Sequence, residues 1–592
     1  MRQLLSGSRS ILCESRYAWA WICLAIGCLW SLIVLTPVIA QTGWPYNHDG
    51  TAPVLRMAAV LGQWKAGQPI PVWSTAQQFG YGSPMPALYH KTHLYVSTAV
   101  LGLTGSVKAA MVLPLYLLMV VGFCGMCVCL RQALAGRHFW LWPLGGATLL
   151  LSNYATTDWL VRGAFAEFAA LMLIPWVFAW CLILINEGRW AIWVGPLMAL
   201  LALSHAALAI FALLPLALAC GLGVVRWRGL TSRWFKPALL GGFGGLLLML
   251  PLLLPMLAAS RFNRVDRLTM LAPRDKMAPW ERYLWDAEWS WWQRWDSLTV
   301  QLDTMLLLLC AVYIATLVWP RKHAGLPGGA RVIWTAMFLL GTLAVMAWLQ
   351  LPQSAWFYEH MPGTRYLQFP WRLLAYLTVV LIVCACLGLS RLCLLGSSRW
   401  GVAGRVAAIA GGLLLLVWTS VPKLDGNWTR YDWISGPALE ALSRTGEDYT
   451  AFGEFLPLVS WPPAGNGLGD ATAQMSSWLH QIPPEACQLT PIDNQATERQ
   501  KGIWSVKCAG SSEVHLPVFM APGMGVEVRR SDQESWHEIP FTRTCADPRL
   551  KVVLPEGQSQ VQIRFPNWTR MTAAFFSRQN FDYRRDCAFA AS

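Results

Sequence analysis

Residues 18–39, AWAWICLAIGCLWSLIVLTPVI, decide the fold, because no charge interrupts the run. At about 1.5 Å of rise per residue, a helix of this length crosses the roughly 30 Å of hydrocarbon in a bilayer. The chain then turns polar at residues 41–50, QTGWPYNHDG, and presents His48 and Asp49 directly after the first crossing. Comparable apolar runs recur, and eleven spans are read at 18–39, 107–130, 139–154, 165–186, 190–204, 206–225, 237–257, 300–319, 332–350, 372–390 and 406–420. Over all 592 residues, 55% are hydrophobic and only 13% charged, with a mean hydropathy of +0.40. A soluble globular chain carries about a quarter charged residues, so this one is a membrane protein. The basic opening MRQLLSGSRS resembles the start of a signal peptide, but the run behind it is too long and many spans follow. It reads as a retained first helix.

Basic residues orient the spans. With the N-terminus in the cytoplasm, the inside segments hold Arg2, Arg9, Arg16, Arg131, Arg137, Arg189, Arg226, Arg228, Arg233, Lys236, Arg321, Lys322, Arg331, Arg391, Arg399 and Arg405, sixteen in all, against Glu14 and Glu187. That asymmetry is the positive-inside bias. It also accounts for most of the net charge of +14, and no basic stripe joins a nucleic-acid motif, which excludes nucleic acid as a partner.

The expected organisation is a cytoplasmic N-terminus (1–17), an all-α polytopic membrane domain (18–420) with external loops at 40–106 and 258–299, a linker (421–484), and a periplasmic β-sandwich (485–592). Within the first loop, 91–104 is apolar but too short to span and reads as an interfacial helix. In ERYLWDAEWSWWQRWDSL, residues 281–298, Trp285, Trp289 and Trp292 recur at helical spacing. Such tryptophans serve as depth anchors, with sugar stacking the rarer use. After residue 484, runs such as GIWSVKC, EVHLPVFM, RLKVVLP and SQVQIRF alternate with period two between turn residues, as strands of a small sandwich do.

Of sixteen cysteines, twelve fall in spans or cytoplasmic segments. Cys487, Cys508, Cys545 and Cys587 all lie in the tail and read as two disulfides of an oxidising compartment. Pairing by proximity gives 487–508 and 545–587, one of three connectivities. Cys124, Cys127 and Cys129 sit in an apolar helix without His or acidic neighbours, so they read as packing residues and not as a metal site.

Charged groups near hydrocarbon are costly and therefore suspect. On this topology they gather at the external mouth of the bundle. His48 and Asp49 follow the first span, and Asp158, Arg162 and Glu167 lie in TTDWLVRGAFAEF. His205 breaks LSHAA, Arg365, Gln368 and Arg372 lie in TRYLQFPWRLL, and Glu454 lies in GEFLP. Each also has a structural reading. Asp158 and Glu167 can pair with Arg162 along a helix, His205 can be a packing histidine, and Arg372 can snorkel to headgroups. His48 beside Asp49 makes no metal site, since no second ligand lies at metal-binding spacing.

A first helix followed by an external loop with a lone acid, then GQPIPVW and FGYGSPMPALYH, resembles the membrane glycosyltransferases of the GT-C superfamily. RGAFAEFAALMLIPW, LSHAALA, YLQFPWRLL and GEFLP resemble the bacterial multi-pass proteins named as related to 6-pyruvoyl-tetrahydropterin synthase. Nothing in this chain suggests pterin chemistry. Enzymes that glycosylate teichoic acids outside the cell are similar more distantly. The ordered set spans most of residues 1–470. The resemblance implies a bacterial inner-membrane enzyme that takes a sugar from a polyprenyl phosphate to a glycan, lipid or protein acceptor. It implies Asp49 as general base, with Arg372, Arg162 and Arg365 on the donor phosphate. His48 stands where the superfamily often has a second acid, so no cofactor is expected and a required divalent metal is not favoured. The rival readings are a flippase for a lipid-linked glycan and a non-catalytic subunit of a polysaccharide assembly complex. Acids concentrated at one mouth, and not near the bilayer midplane, favour chemistry over transport.

Overall fold

The computed structural model describes residues 2–45, 47, 49, 52–75, 77, 81–189, 192–227, 232–261, 273–284, 300–318, 329–361, 363–396, 410–411, 433–445, 487–492, 501–530, 534–542 and 549–577. Among these, seven helices are long and apolar enough to cross a membrane: Ala18–Ala40, Val107–Ala133, Phe165–Glu187, Ala206–Trp227, Lys236–Ser260, Ala330–Trp348 and Pro370–Leu392. The protein is a multi-pass helical membrane protein with a strand-rich C-terminal region. Phe165–Glu187 and Pro370–Leu392 are almost wholly enclosed and form the centre of the bundle, whereas Lys236–Ser260 faces mostly outward. A helix apolar on every side is stable in either place.

Three expected spans are shorter than full crossings. Leu141–Leu151 and Val194–Ser204 have 11 residues each, about 16 Å of rise. The first stops because Ser152 adopts extended backbone and its hydroxyl accepts from Ala155 N at 3.3 Å, which starts a new turn. The second stops at His205, also extended, at φ −160° and ψ 99°. The third, Thr304–Val318, has 15 residues. The span expected at 406–420 lies outside the described residues except for 410–411, and of the tryptophan-rich helix only Trp280–Leu284 is described.

The first loop holds more helix than its Pro and Gly content suggests. Ala52–Lys65, APVLRMAAVLGQWK, is rich in strong helix formers. Thr92–Thr104 does not merely lie on a surface, since Leu94, Ser97, Thr98 and Leu101 are buried.

Elsewhere one crossing is set by glycine. A Cβ on Gly195 would sit 1.8 Å from the Gly241 carbonyl oxygen, and one on Gly245 would sit 2.5 Å from that of Gly195. Only hydrogen at these positions lets the backbones of Val194–Ser204 and Ser232–Ser260 touch.

The C-terminal region is two antiparallel sheets. In the five-stranded sheet the order is Cys487–Pro491, Lys501–Cys508, Gly557–Arg564, Gly525–Arg529, His537–Glu538; the three-stranded sheet runs Ser512–Phe519, Arg549–Leu554, Phe541–Thr542. Val506, Val514, Leu516, Val552, Val561 and Ile563 fill the space between them. Cys487 and Cys508 face each other across the first strand pair and form a disulfide; Cys545 and Cys587 lie outside the described residues.

This region shares its core with the membrane part. Val72, Trp73 and Ala87 of the first loop and Ala258 and Ala259 join the same apolar cluster, and Phe519 N donates to Tyr81 O at 2.8 Å. Trp568 Nε1 donates to Pro251 O at 2.6 Å. That carbonyl needs an outside donor because Pro255, four residues on, has no N–H to give it. Further contacts close the same end of the bundle. Trp44–Pro45 pairs with Trp433–Ile434, and Glu440 accepts Val107 N at 3.0 Å, a carboxylate at a helix N-terminus.

Candidate active site

The site is built where the chain leaves Leu141–Leu151. Residues Thr157–Arg162 form a π-helical turn, a form that adds one residue to a helical turn and is frequent at functional sites. Gly163 ends it at φ +72°, in the left-handed region. A Cβ there would also meet the Asn47 amide at 2.4 Å, so glycine is required twice over.

The turn brings Asp158 and Arg162 to the mouth of the enclosed helix Phe165–Glu187. Arg162 Nη1 lies 2.5 Å from Asp158 Oδ1 and 2.9 Å from Glu167 Oε2, and Arg372 Nε reaches the same Glu167 oxygen at 3.1 Å. Tyr154 donates its hydroxyl to the other Glu167 oxygen. Arg372 Nη1 donates to Leu367 O at 3.0 Å and Gln368 Oε1 at 3.2 Å. To reach that position Gln368 itself takes φ +62°. Arg162 stacks on Trp371, with Cζ 4.6 Å from the ring centroid. All four charged groups are buried or nearly so.

Burial pushes the Asp158 carboxyl well above the usual carboxylate range, and Glu167 adds to this against the opposing Arg162. Burial works against the charge on Arg162, but Glu167 and Asp158 outweigh it and hold the guanidinium above its ordinary range.

Asp49 stands beside this network and not within it. Its N–H donates to Arg162 O at 2.8 Å, which pins the loop to the turn, and its carboxylate Oδ2 lies 3.7 Å from Arg56 Nη1. About a quarter of the Asp49 side chain is exposed. Burial raises its pKa, opposed by the charges of Arg56, Arg162 and Arg372. Arg56 donates to the Tyr89 hydroxyl at 2.9 Å and packs on that ring.

A small cleft next to Arg56 is lined by Met57, Tyr89, His90, His93 and Phe165 among others. His90 stacks on His205 with centroids 4.6 Å apart. Burial holds both imidazoles well below their usual pKa, with positive neighbours adding to the effect. His205 Nδ1 accepts Leu208 N–H at 3.3 Å, so its proton belongs on Nε2. Lys91 is held differently: it donates to the carbonyls of Pro86, Ala87 and Tyr89 and closes the turn that carries His90.

The structure therefore gathers Asp49, Asp158, Arg162, Glu167, Gln368 and Arg372, with His205 nearby through His90. His48, Glu454 and the side chain of Arg365 lie outside the described residues. Sequence reading missed Arg56, Tyr154, His90 and Asn47. Arg56 alone carried a signal, as the single charge in the first three turns of an otherwise apolar helix. Among the described residues, no group of three His, Cys, Asp or Glu is placed to hold a metal ion. Cys127 and Cys129 are simply buried in Val107–Ala133.

No protein-family model matches the chain, and no curated protein matches it. Solved structures similar to it include an oligosaccharyltransferase from Archaeoglobus fulgidus tethered to an acceptor peptide, at 12% identity and TM-score 0.37 over 73% of this chain and 56% of the other. Another is the mycobacterial arabinofuranosyltransferase AftD, at 15% identity and TM-score 0.38 over 79% of this chain and 31% of the other. The chain thus spans less than two thirds of either.

Proposed function

We propose that the protein is a GT-C-type glycosyltransferase that moves a sugar from a polyprenyl-phosphate donor to a cell-envelope glycan, lipid or protein on the external face of a bacterial inner membrane. The observation that carries this reading is a partly exposed carboxylate, Asp49, set against guanidinium groups that are only partly used. Among the described residues, Arg162 meets its two carboxylates through Nη1, and Arg372 engages its partners through Nε and Nη1. The remaining N–H groups suit a phosphate, which accepts paired hydrogen bonds from arginine. The ordered sequence motifs point to the same chemistry.

In the reaction, Asp49 takes the proton of the acceptor hydroxyl as that oxygen attacks the anomeric carbon. The bond from the anomeric carbon to the phosphate oxygen breaks, and its electron pair leaves with the phosphate. Attack from the opposite face inverts the anomeric carbon. Arg162 and Arg372 stabilise the charge that develops on the departing phosphate, and Arg365 is assigned to the same group. The strand-rich domain, fixed to the first loop, holds the acceptor in front of Asp49.

Purified protein is expected to transfer labelled sugar from a polyprenyl-phosphate sugar, and to do so at full rate after exhaustive chelation. Absence of transfer from any such donor refutes the reading, and activity lost on chelation and restored by one divalent ion refutes its metal-free form.

A further inference from the structure

Asn47 is 2% exposed, and among the described residues neither its amide oxygen nor its amide nitrogen has a hydrogen-bond partner. Burying one such group without a partner is a net penalty, and in a native protein it calls for a reason. The place suggests the reason. Asn47 stands two residues before Asp49 and lies against Gly163, where a Cβ would come within 2.6 Å of its amide nitrogen. The residue before that glycine is Arg162, whose carbonyl accepts the Asp49 N–H at 2.8 Å. The amide is thus locked onto the turn that presents the guanidinium, beside the loop that presents the carboxylate.

We infer that Asn47 is a sugar-binding residue of this site. A side-chain amide offers an acceptor and a donor side by side in one plane. Two neighbouring ring hydroxyls of a saccharide match it, one donating to Oδ1 and the other accepting from Nδ2. A carboxylate in the same place offers only acceptors, and an apolar group offers nothing. The ligand class is a vicinal diol, on either the donor sugar or the acceptor sugar. This inference rests on the reading of the site as one for glycosyl transfer.

The test uses the full-length protein with Asn47→Leu and Asn47→Ala, measuring Tm, kcat and KM for a polyprenyl-phosphate sugar and for a saccharide acceptor. The expected result is a KM raised at least tenfold for one of the two substrates in both variants. A rise for the donor alone assigns the diol to the donor sugar, and a rise for the acceptor alone assigns it to the acceptor. Unchanged KM for both overturns the inference, including the case where Tm falls, which marks a packing role or a structural water. Should the leucine variant not fold, the alanine variant decides by the same readings. Absence of transfer by the unaltered protein from any polyprenyl-phosphate sugar overturns the glycosyltransferase reading itself, so the two failures are told apart.

Discussion

Glu167 and Asp49 are both carboxylates near the same arginines, and they are held in opposite ways. Glu167 is buried, takes Arg162 at 2.9 Å and Arg372 at 3.1 Å, and accepts the Tyr154 hydroxyl. Asp49 is partly exposed, and its ion pair with Arg56 is loose at 3.7 Å. A buried charge is tolerated only when its lone pairs are engaged. A carboxylate with one loose partner keeps the capacity to accept a proton. On the function proposed above, Glu167 is the scaffold that aims the arginines, and Asp49 is the group with work left to do.

Replacement of each carboxylate separates the two roles. Asp49→Asn is expected to lower turnover by about 10²–10⁴-fold, the usual contribution of one general base, measured as transfer of labelled sugar. Its stability should hold or rise slightly. A carboxyl whose folded pKa is raised contributes stability below its unfolded pKa and loses it as pH rises through the folded one, so near neutral pH the ionised form opposes folding. Glu167→Ala should do the reverse and destabilise the protein by about 3–5 kcal/mol, because it removes the carboxylate that two buried guanidiniums share. Thermal unfolding in detergent reads this, and an unchanged Tm would break the contrast.

The pH profile sharpens the comparison further. Asp49 must be ionised to act, so turnover should climb with pH and level off above the range of an ordinary carboxylate, near 4. An acid limb at or below that range contradicts the raised pKa of Asp49. The smallest effect is away from the site. Trp568→Phe removes the donor to Pro251 O and should lower stability by about 1–3 kcal/mol, with turnover of the remaining folded protein unchanged.

How much of this was legible in the chain depends on range. The spans could be read because an uncharged run of twenty residues has few other uses, and ten of the eleven expected runs fall on helices of the described residues. The span at 139–154 was overextended because apolar character continues past Ser152, where backbone geometry ends the helix, whereas the end expected at 204 falls on Ser204. The meeting of Asp158, Arg162, Glu167, Gln368 and Arg372 was foreseen only as a shared mouth. That Tyr154 and Arg372 meet across 218 positions is a property of packing. Arg56 and Asn47 were invisible for the same reason. One looks like a polar residue in a loop helix, the other like a turn residue, until Gly163 and Asp49 are brought beside them.

The hydrogen bond from Trp568 to Pro251 joins residues 317 positions apart. During synthesis the proline-notched helix is therefore delivered to the lipid long before its indole exists, and its bare carbonyl has to wait among water or headgroups. Maturation of the membrane portion then depends on the arrival of the tail. Nascent chains halted ahead of the strand-rich region should be the ones that quality-control proteases remove.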